Sequence, residues 1–158
     1  MAAAARPALM KLSANSDDAS GPRVCTYALI GRYEQILLIA TADRSHVLPG
    51  GPVHSGEPIE HALQRTLRDQ LGTTLASIEF CSVIEHEDDR GVWLGSASEV
   101  AFLFDVTLPD VSSISDRFPC MHWWANESDL GLLQPAAIRN AILTGNLSSD
   151  FPWWAWSP

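Results

Sequence analysis

Short apolar blocks, separated by polar and glycine-containing turns, recur along most of the chain. Blocks that are rich in β-branched and aliphatic residues predict strands. These strands would cover residues 23–30, 35–39, 78–85 and 100–106. Residues 31–34 would form the turn of a hairpin between the first two strands.

The apolar spacing changes to a helical period after residue 58. The residues of this period, which would form one buried stripe, are Ala62, Leu63, Leu67 and Leu71. Pro58 would lie in the first turn, where its missing N–H costs no hydrogen bond. Gly72 suits the left-handed conformation that ends many helices. Pro135 predicts the start of a second helix over 136–143.

The segment 51–73 reads GPVHSGEPIEHALQRTLRDQLGT and contains a recognisable spacing. The spaced residues are Gly51, Glu57, Arg65, Leu67 and Gly72. This spacing resembles the Nudix box, G-x5-E-x7-R-E-U-x-E-E-x-G-U, where U is aliphatic. The sequence LPGG before it and the order of tryptophan strand, acidic segment and Pro135 after it fit the same family. The resemblance implies an α/β fold, a Nudix-type α/β/α sandwich with a mixed β-sheet between helices.

The box departs from the family at the three positions where glutamates bind metal. These positions hold Thr66, Asp69 and Gln70, which are spaced i, i+3 and i+4 and so share one helix face. In the family, such acids hold magnesium or manganese, because hard cations prefer oxygen ligands. Two neutral side chains predict weakened metal binding. The remaining candidate metal ligands are Asp69, Glu57 and Glu99.

Other candidate site residues surround the box. In the family, the pair formed by the glutamate and the arginine braces the loop against the helix. His54 and His61 could act as acid or base without metal, because histidine titrates near neutrality. The candidate catalytic residues are therefore Glu57, Arg65, Asp69, His54 and His61. The candidate substrate contacts in the cleft beside the helix are Gly50, Gly51 and Trp93.

Composition narrows the class of protein. With 158 residues, of which 46% are hydrophobic, a single globular domain is expected. The net charge of −9 and the lack of a basic run argue against binding a nucleic-acid backbone. No apolar run approaches the length of a membrane span. Three widely spaced cysteines without zinc spacing fit a reducing cytoplasm.

The two ends of the chain differ from the middle. Residues 1–22 are rich in alanine, serine and aspartate and predict a flexible tail before a Nudix-like domain at 23–145. The segment 146–158 carries Trp153, Trp154 and Trp156. These rings would pack on the domain, close an interface such as that of a homodimer, or stack on a flat ligand.

Three functions are compatible with these residues. The resemblance implies a divalent-metal-dependent hydrolase of a diphosphate-linked small molecule, and the altered box predicts weak or changed activity. The first alternative is metal-free acid–base chemistry on another small molecule in the same pocket. The second alternative is a non-catalytic domain for ligand binding or protein interaction.

Overall fold

The computed structural model describes residues 21–42, 44–88, 97–110, 114, 122–145, 147 and 153–154. For residues 88, 97, 153 and 154 it describes the backbone alone. The predicted contact residue Trp93, the tail residues 1–20 and Trp156 lie outside these ranges.

Nine strands and two α-helices form the described part of the domain. The strands are β1 (Arg23–Leu29), β2 (Gly31–Arg32), β3 (Gln35–Ala40), β4 (His46–Val47), β5 (Gly50–Pro52), β6 (Ser77–Asp88), β7 (Ala97–Thr107), β8 (His122–Ala125) and β9 (Trp153–Trp154). The helices are α1 (Ile59–Leu71) and α2 (Ala136–Leu143), with a 3₁₀ helix at Glu127–Leu132. None of the described helices is both long and apolar enough to cross a bilayer.

The strands form two sheets. The larger is mixed, with the order β5-β1-β7-β6-β9, in which β1 is parallel to β7 and β6 is antiparallel to it. The smaller sheet contains β2, β3, β4 and β8. The chain leaves the larger sheet at Ile30, and the carbonyl of Ile30 accepts a hydrogen bond from the Leu37 amide at 3.0 Å.

The predicted hairpin of 23–30 with 35–39 is therefore only partly correct. The turn at Tyr33–Glu34 joins β2, not β1, to β3. The strand β1 lies between β5 and β7 and is buried along most of its length. A strand with two neighbours and two covered faces has no remaining edge for β3, so the next segment starts a second sheet.

Two apolar cores cover the two faces of the larger sheet. Because side chains alternate along a strand, β7 sends Ala101 and Leu103 to one face and Phe104 and Val106 to the other. Ala101 and Leu103 pack with Ile138 and Ala141 of α2. Phe104 and Val106 pack with the α1 leucines at 63, 67 and 71. This arrangement confirms the predicted sandwich.

The boundaries of α1 follow from its flanking residues. Pro58 is extended and precedes the first turn, and its carbonyl accepts the first intrahelical hydrogen bond, from the Ala62 amide at 3.0 Å. Gly72 has the predicted left-handed conformation with φ 65°, and its amide donates to the Arg68 carbonyl at 2.9 Å. These two ends fix where the box helix meets the glycine loop.

Candidate functional site

An ion pair ties the loop before α1 to the helix. Arg65 donates from Nε and from one terminal nitrogen to the two carboxylate oxygens of Glu57, at 2.8 Å each. The same terminal nitrogen also donates to the Pro52 carbonyl at 3.0 Å. The His54 amide donates to Glu57 at 3.1 Å. The structure thus shows the bracing role that the family resemblance implies for this pair.

This pairing also sets the charge of Glu57. Hydrogen bonds from Arg65, and then from the His54 amide, lower the pKa of Glu57 from 4.5 to about 2. The pKa of Arg65 is raised, first by its hydrogen bond to Glu57, with smaller contributions from the charges of Glu57 and Asp69. Glu57 is therefore ionised at neutral pH and has no proton to give to a substrate.

Gln70 forms a paired hydrogen bond with the backbone of Gly50. The Gly50 amide donates to Gln70 Oε1 at 2.9 Å, and Gln70 Nε2 donates to the Gly50 carbonyl at 2.8 Å. Gly50 has φ 143°, and a Cβ there would lie 2.1 Å from the Thr26 carbonyl oxygen. Only glycine therefore allows the loop to approach β1 this closely. This approach brings the Gly50 carbonyl within reach of α1, and the Gln70 carboxamide donates a hydrogen bond to it.

Thr66 is turned into its own helix. Its hydroxyl lies 2.9 Å from the Ala62 carbonyl and 3.0 Å from the Leu63 carbonyl, so it donates within α1. The side chain is buried, and its methyl group would lie 3.3 Å from a Cβ at Gly51. Thr66 fills the contact between helix and loop, and its hydroxyl is committed to the backbone carbonyls of α1.

Glu99 lies in a buried polar cluster of its own. Its carboxylate accepts hydrogen bonds from Arg23 Nε at 3.1 Å and from the Tyr27 hydroxyl at 3.0 Å, and it contacts His86 Nε2 at 3.2 Å. Burial raises the pKa of Glu99, but the hydrogen bonds from His86 and Arg23 and their charges outweigh this and lower it to about 2.

The three candidate metal ligands are not brought together. Glu99 alternates with Ala101 and Leu103 and so lies on the α2 face, whereas α1 with Asp69 packs on the opposite face. Glu57 forms an ion pair with Arg65, and Asp69, one helical turn after Arg65, is exposed. Within the described residues no group of three or more histidine, cysteine or acidic side chains could hold a metal ion. The donor set of the described residues therefore does not fit the family's cation cluster.

The two candidate histidines lie in different surroundings. His54 is largely exposed, with Nδ1 at 3.7 Å from a Glu57 carboxylate oxygen. His61 is exposed at the start of α1 and lines a cavity of about 420 Å³. A second cavity of about 260 Å³ lies beside α2. Its lining residues are Glu34, Ile36, Ala125, Glu127, Leu130, Ile142 and Leu143.

Sequence reasoning did not anticipate the bond between Gln70 and Gly50 or the partners of Glu99. The partners of Glu99 come from β1 and β6, so only the strand register reveals them. Alternation along 98–106 was the one signal that could have placed Glu99 on the face of Ala101 and Leu103. Gly50 and Gly51 lie in β5, antiparallel to β1.

Solved structures share this fold. A dihydroneopterin triphosphate pyrophosphohydrolase from E. coli matches with a TM-score of 0.64 at 17% identity, over 78% of this chain and 96% of that chain. A MutT Nudix hydrolase from Burkholderia pseudomallei matches with a TM-score of 0.50 at 26% identity, over 74% and 93%. An ADP-ribose pyrophosphatase from Streptococcus suis matches with a TM-score of 0.55 at 16% identity, over 84% and 97%. No protein-family model and no curated protein sequence matches the chain.

Proposed function

Because this chain has the Nudix fold, we propose that it binds a small molecule in the cleft beside α1 and that metal-dependent hydrolysis there is weak or lost. The observation that carries the proposal is the paired hydrogen bond between Gln70 and Gly50. In the family, the helix position of Gln70 supplies a carboxylate to a cation. Here the carboxamide N–H of Gln70 donates to the Gly50 carbonyl oxygen, so no cation is needed to connect the helix to the loop.

The charge balance supports the same conclusion. A diphosphate is strongly anionic and the chain has a net charge of −9, so an unmetallated cleft repels it. Removing one electrostatic stabiliser of a transition state costs about a hundredfold or more in rate. Thr66 and Gln70 are two such replacements, and both side chains are committed to other hydrogen bonds.

The frame around the cleft is retained. Glu57 and Arg65 hold the loop, Gly50 allows its backbone to lie close to β1, and Gly51 allows it to lie close to Thr66 of α1. One matching protein is named a dihydroneopterin triphosphate pyrophosphohydrolase and another an ADP-ribose pyrophosphatase. By analogy, a ligand with a phosphate-linked small-molecule skeleton is the first class to screen.

Metal-free acid–base chemistry would have to use His54, His61 or Asp69. Glu57 is excluded as an acid by its lowered pKa, and Arg65 stays protonated. We keep this second function because His61 borders a cavity. Turnover that persists in chelator and disappears in His61→Asn would support it.

Calorimetric titration with magnesium tests the main proposal. We expect no saturable heat at millimolar metal in the wild type, and no magnesium-dependent cleavage of ADP-ribose or nucleoside triphosphates above background. Saturable binding that is lost in Asp69→Ala, together with rapid turnover, would overturn it.

A restoration experiment separates lost ligands from a changed pocket. The variant Thr66→Glu with Gln70→Glu returns two acids to the box. If only the ligands were lost, magnesium binding should appear and cleavage should rise by about a hundredfold or more. Gln64→Glu is the matched control, because it adds a carboxylate to the exposed side of the same helix.

A further inference from the structure

The cavity that His61 borders lies on the α1 face of the larger sheet, away from the glycine loop. We call it the Phe groove. Its lining residues are Pro58, Ile59, Glu60, His61, Phe80, Phe102 and Phe104. It holds about 420 Å³ and is open to solvent. The glycine loop is on β5, and β1 and β7 lie between that strand and β6.

The position of α1 explains why the groove is open. The helix packs mainly across β5 and β1, and it leaves the neighbouring part of β6 uncovered. Phe80 on β6 consequently keeps 40% of its surface exposed, an unusual position for a phenylalanine. Its ring meets Phe104 edge-on, with centroids 5.8 Å apart and planes at 72°. Such an arrangement leaves the face of a ring available to a ligand.

The strand register brings three phenylalanine rings to one face of the sheet. Phe80 pairs with Phe104, and a bulge after Phe80 then brings Val83 opposite Phe102. Without the bulge, the residues of β6 beyond Phe80 would exchange faces. The rings at 80, 102 and 104 therefore share one side of the sheet.

Acidic residues border the same face. Glu60 lines the groove at the start of α1. Further along β6, Glu85 pairs with Val100 and Glu87 pairs with Ser98, so alternation places both carboxylates on the face of Phe102. No lysine or arginine is among the lining residues. The groove thus combines aromatic faces with negative charge in a protein of net charge −9.

We propose that the Phe groove binds a small organic cation with an apolar body, such as a quaternary ammonium or a protonated arylalkylamine. The ring faces attract a desolvated cation, and the carboxylates of Glu60, Glu85 and Glu87 raise its local concentration. A second copy of the chain would bring like charges together, and an anionic ligand would be repelled. The groove lies away from the contact between Gln70 and Gly50, so the inference goes beyond the main proposed function, and it shares His61 with the second function.

Phenyltrimethylammonium is the probe, and tert-butylbenzene is its neutral carbon isostere. Two-dimensional NMR of the full chain should show saturable amide shifts at Ile59–Ala62, Phe80 and Phe102 with the cation. The isostere should bind at least about fivefold more weakly. Benzoate should give no shifts at these residues.

Variants then test which residues of the groove bind the cation. Phe80→Ala should weaken cation binding about fivefold to tenfold. Tyr33→Ala, which removes an aromatic ring that is 98% exposed on the β2–β3 turn, should leave it unchanged. Glu85→Gln with Glu87→Gln should weaken the cation alone and reduce the salt dependence of its affinity.

The proposal is overturned by equal affinity for the cation and its isostere, by shifts that map elsewhere, by no binding, or by an unchanged affinity in Phe80→Ala. Thermal unfolding of each variant confirms that it is folded, and Phe80→Leu serves as a second variant that keeps apolar bulk while removing the ring. The glutamate restoration at 66 and 70 should not alter any of these affinities, so failure here is distinct from failure of the proposed function.

Discussion

Replacing Gln70 by alanine removes both hydrogen bonds that connect α1 to the backbone of Gly50. Each bond between protein groups contributes about 0.5–1.5 kcal/mol to stability, so their sum is about 1–3 kcal/mol. Gln70 is partly exposed, which lets water replace some of the loss. Alanine also has a slightly better helix propensity. We therefore expect Gln70→Ala to lower the free energy of unfolding by about 1–2 kcal/mol.

Urea denaturation followed by circular dichroism measures this change. A loss of that size corresponds to a lowering of Tm by roughly 2–8 °C for a chain of this length. Gln64→Ala is the control, because Gln64 is exposed on the same helix and should change stability by less than about 0.5 kcal/mol. If Gln70→Ala is equally neutral, the carboxamide does not hold the loop and the reasoning is refuted.

Gln70→Glu extends the same test to charge. The introduced carboxylate can still accept from the Gly50 amide, but at neutral pH it cannot donate to the Gly50 carbonyl. Two oxygens would then face each other, and we expect a loss at least as large as in Gln70→Ala. Protonation restores a donor, so the pKa of the introduced group is raised in the folded state, and the deficit should shrink as pH falls through it. Magnesium that restores stability to this variant alone would show that carboxamide and cation occupy equivalent positions.

Three further predictions concern the frame of the domain. Glu99→Ala leaves Arg23 and His86 without their shared partner and should lower stability by about 3 kcal/mol in urea denaturation, whereas an effect under about 1 kcal/mol would contradict the cluster's importance. The lowered pKa of Glu57 means that its contribution is complete above about pH 4.5 and is lost as pH falls toward 2, so Glu57→Gln should flatten the stability profile in that window. Gly50→Ala places a methyl group 2.1 Å from the Thr26 carbonyl oxygen and should give insoluble or unfolded protein on expression, unlike Gly131→Ala, where no atom lies within 4 Å.

The sequence predicted α1 well because its signals are local. The leucines at 63, 67 and 71 repeat at the helical period, and Gly72 ends the helix in the expected conformation. The first hairpin was predicted only in part, since alternation identifies a strand but not its sheet. The pairing of β1 with β7 joins residues more than seventy positions apart.

The same distinction separates the parts of the site. The brace between Glu57 and Arg65 follows from one loop and one helix, so the spacing of the box was enough to predict it. The role of Gln70 depends on how closely Gly50, twenty residues earlier, approaches the helix. The sequence offers Glu99 as a candidate metal ligand, and a lone acid before an apolar run carries no sequence signal for its facing partners on β1 and β6.

The strand β9 contacts β6 only at Val83 and Ile84, although β6 is twelve residues long. In the described part of the chain, the rest of this edge of β6 has no strand beside it, and an unpaired strand edge can pair with a strand of another molecule. Glu79, Glu85 and Glu87 place negative charge along this strand. Two molecules that approach each other at this edge therefore repel each other. Salt screens this repulsion, and concentrated samples at high ionic strength should form intermolecular sheet before the domain itself has melted.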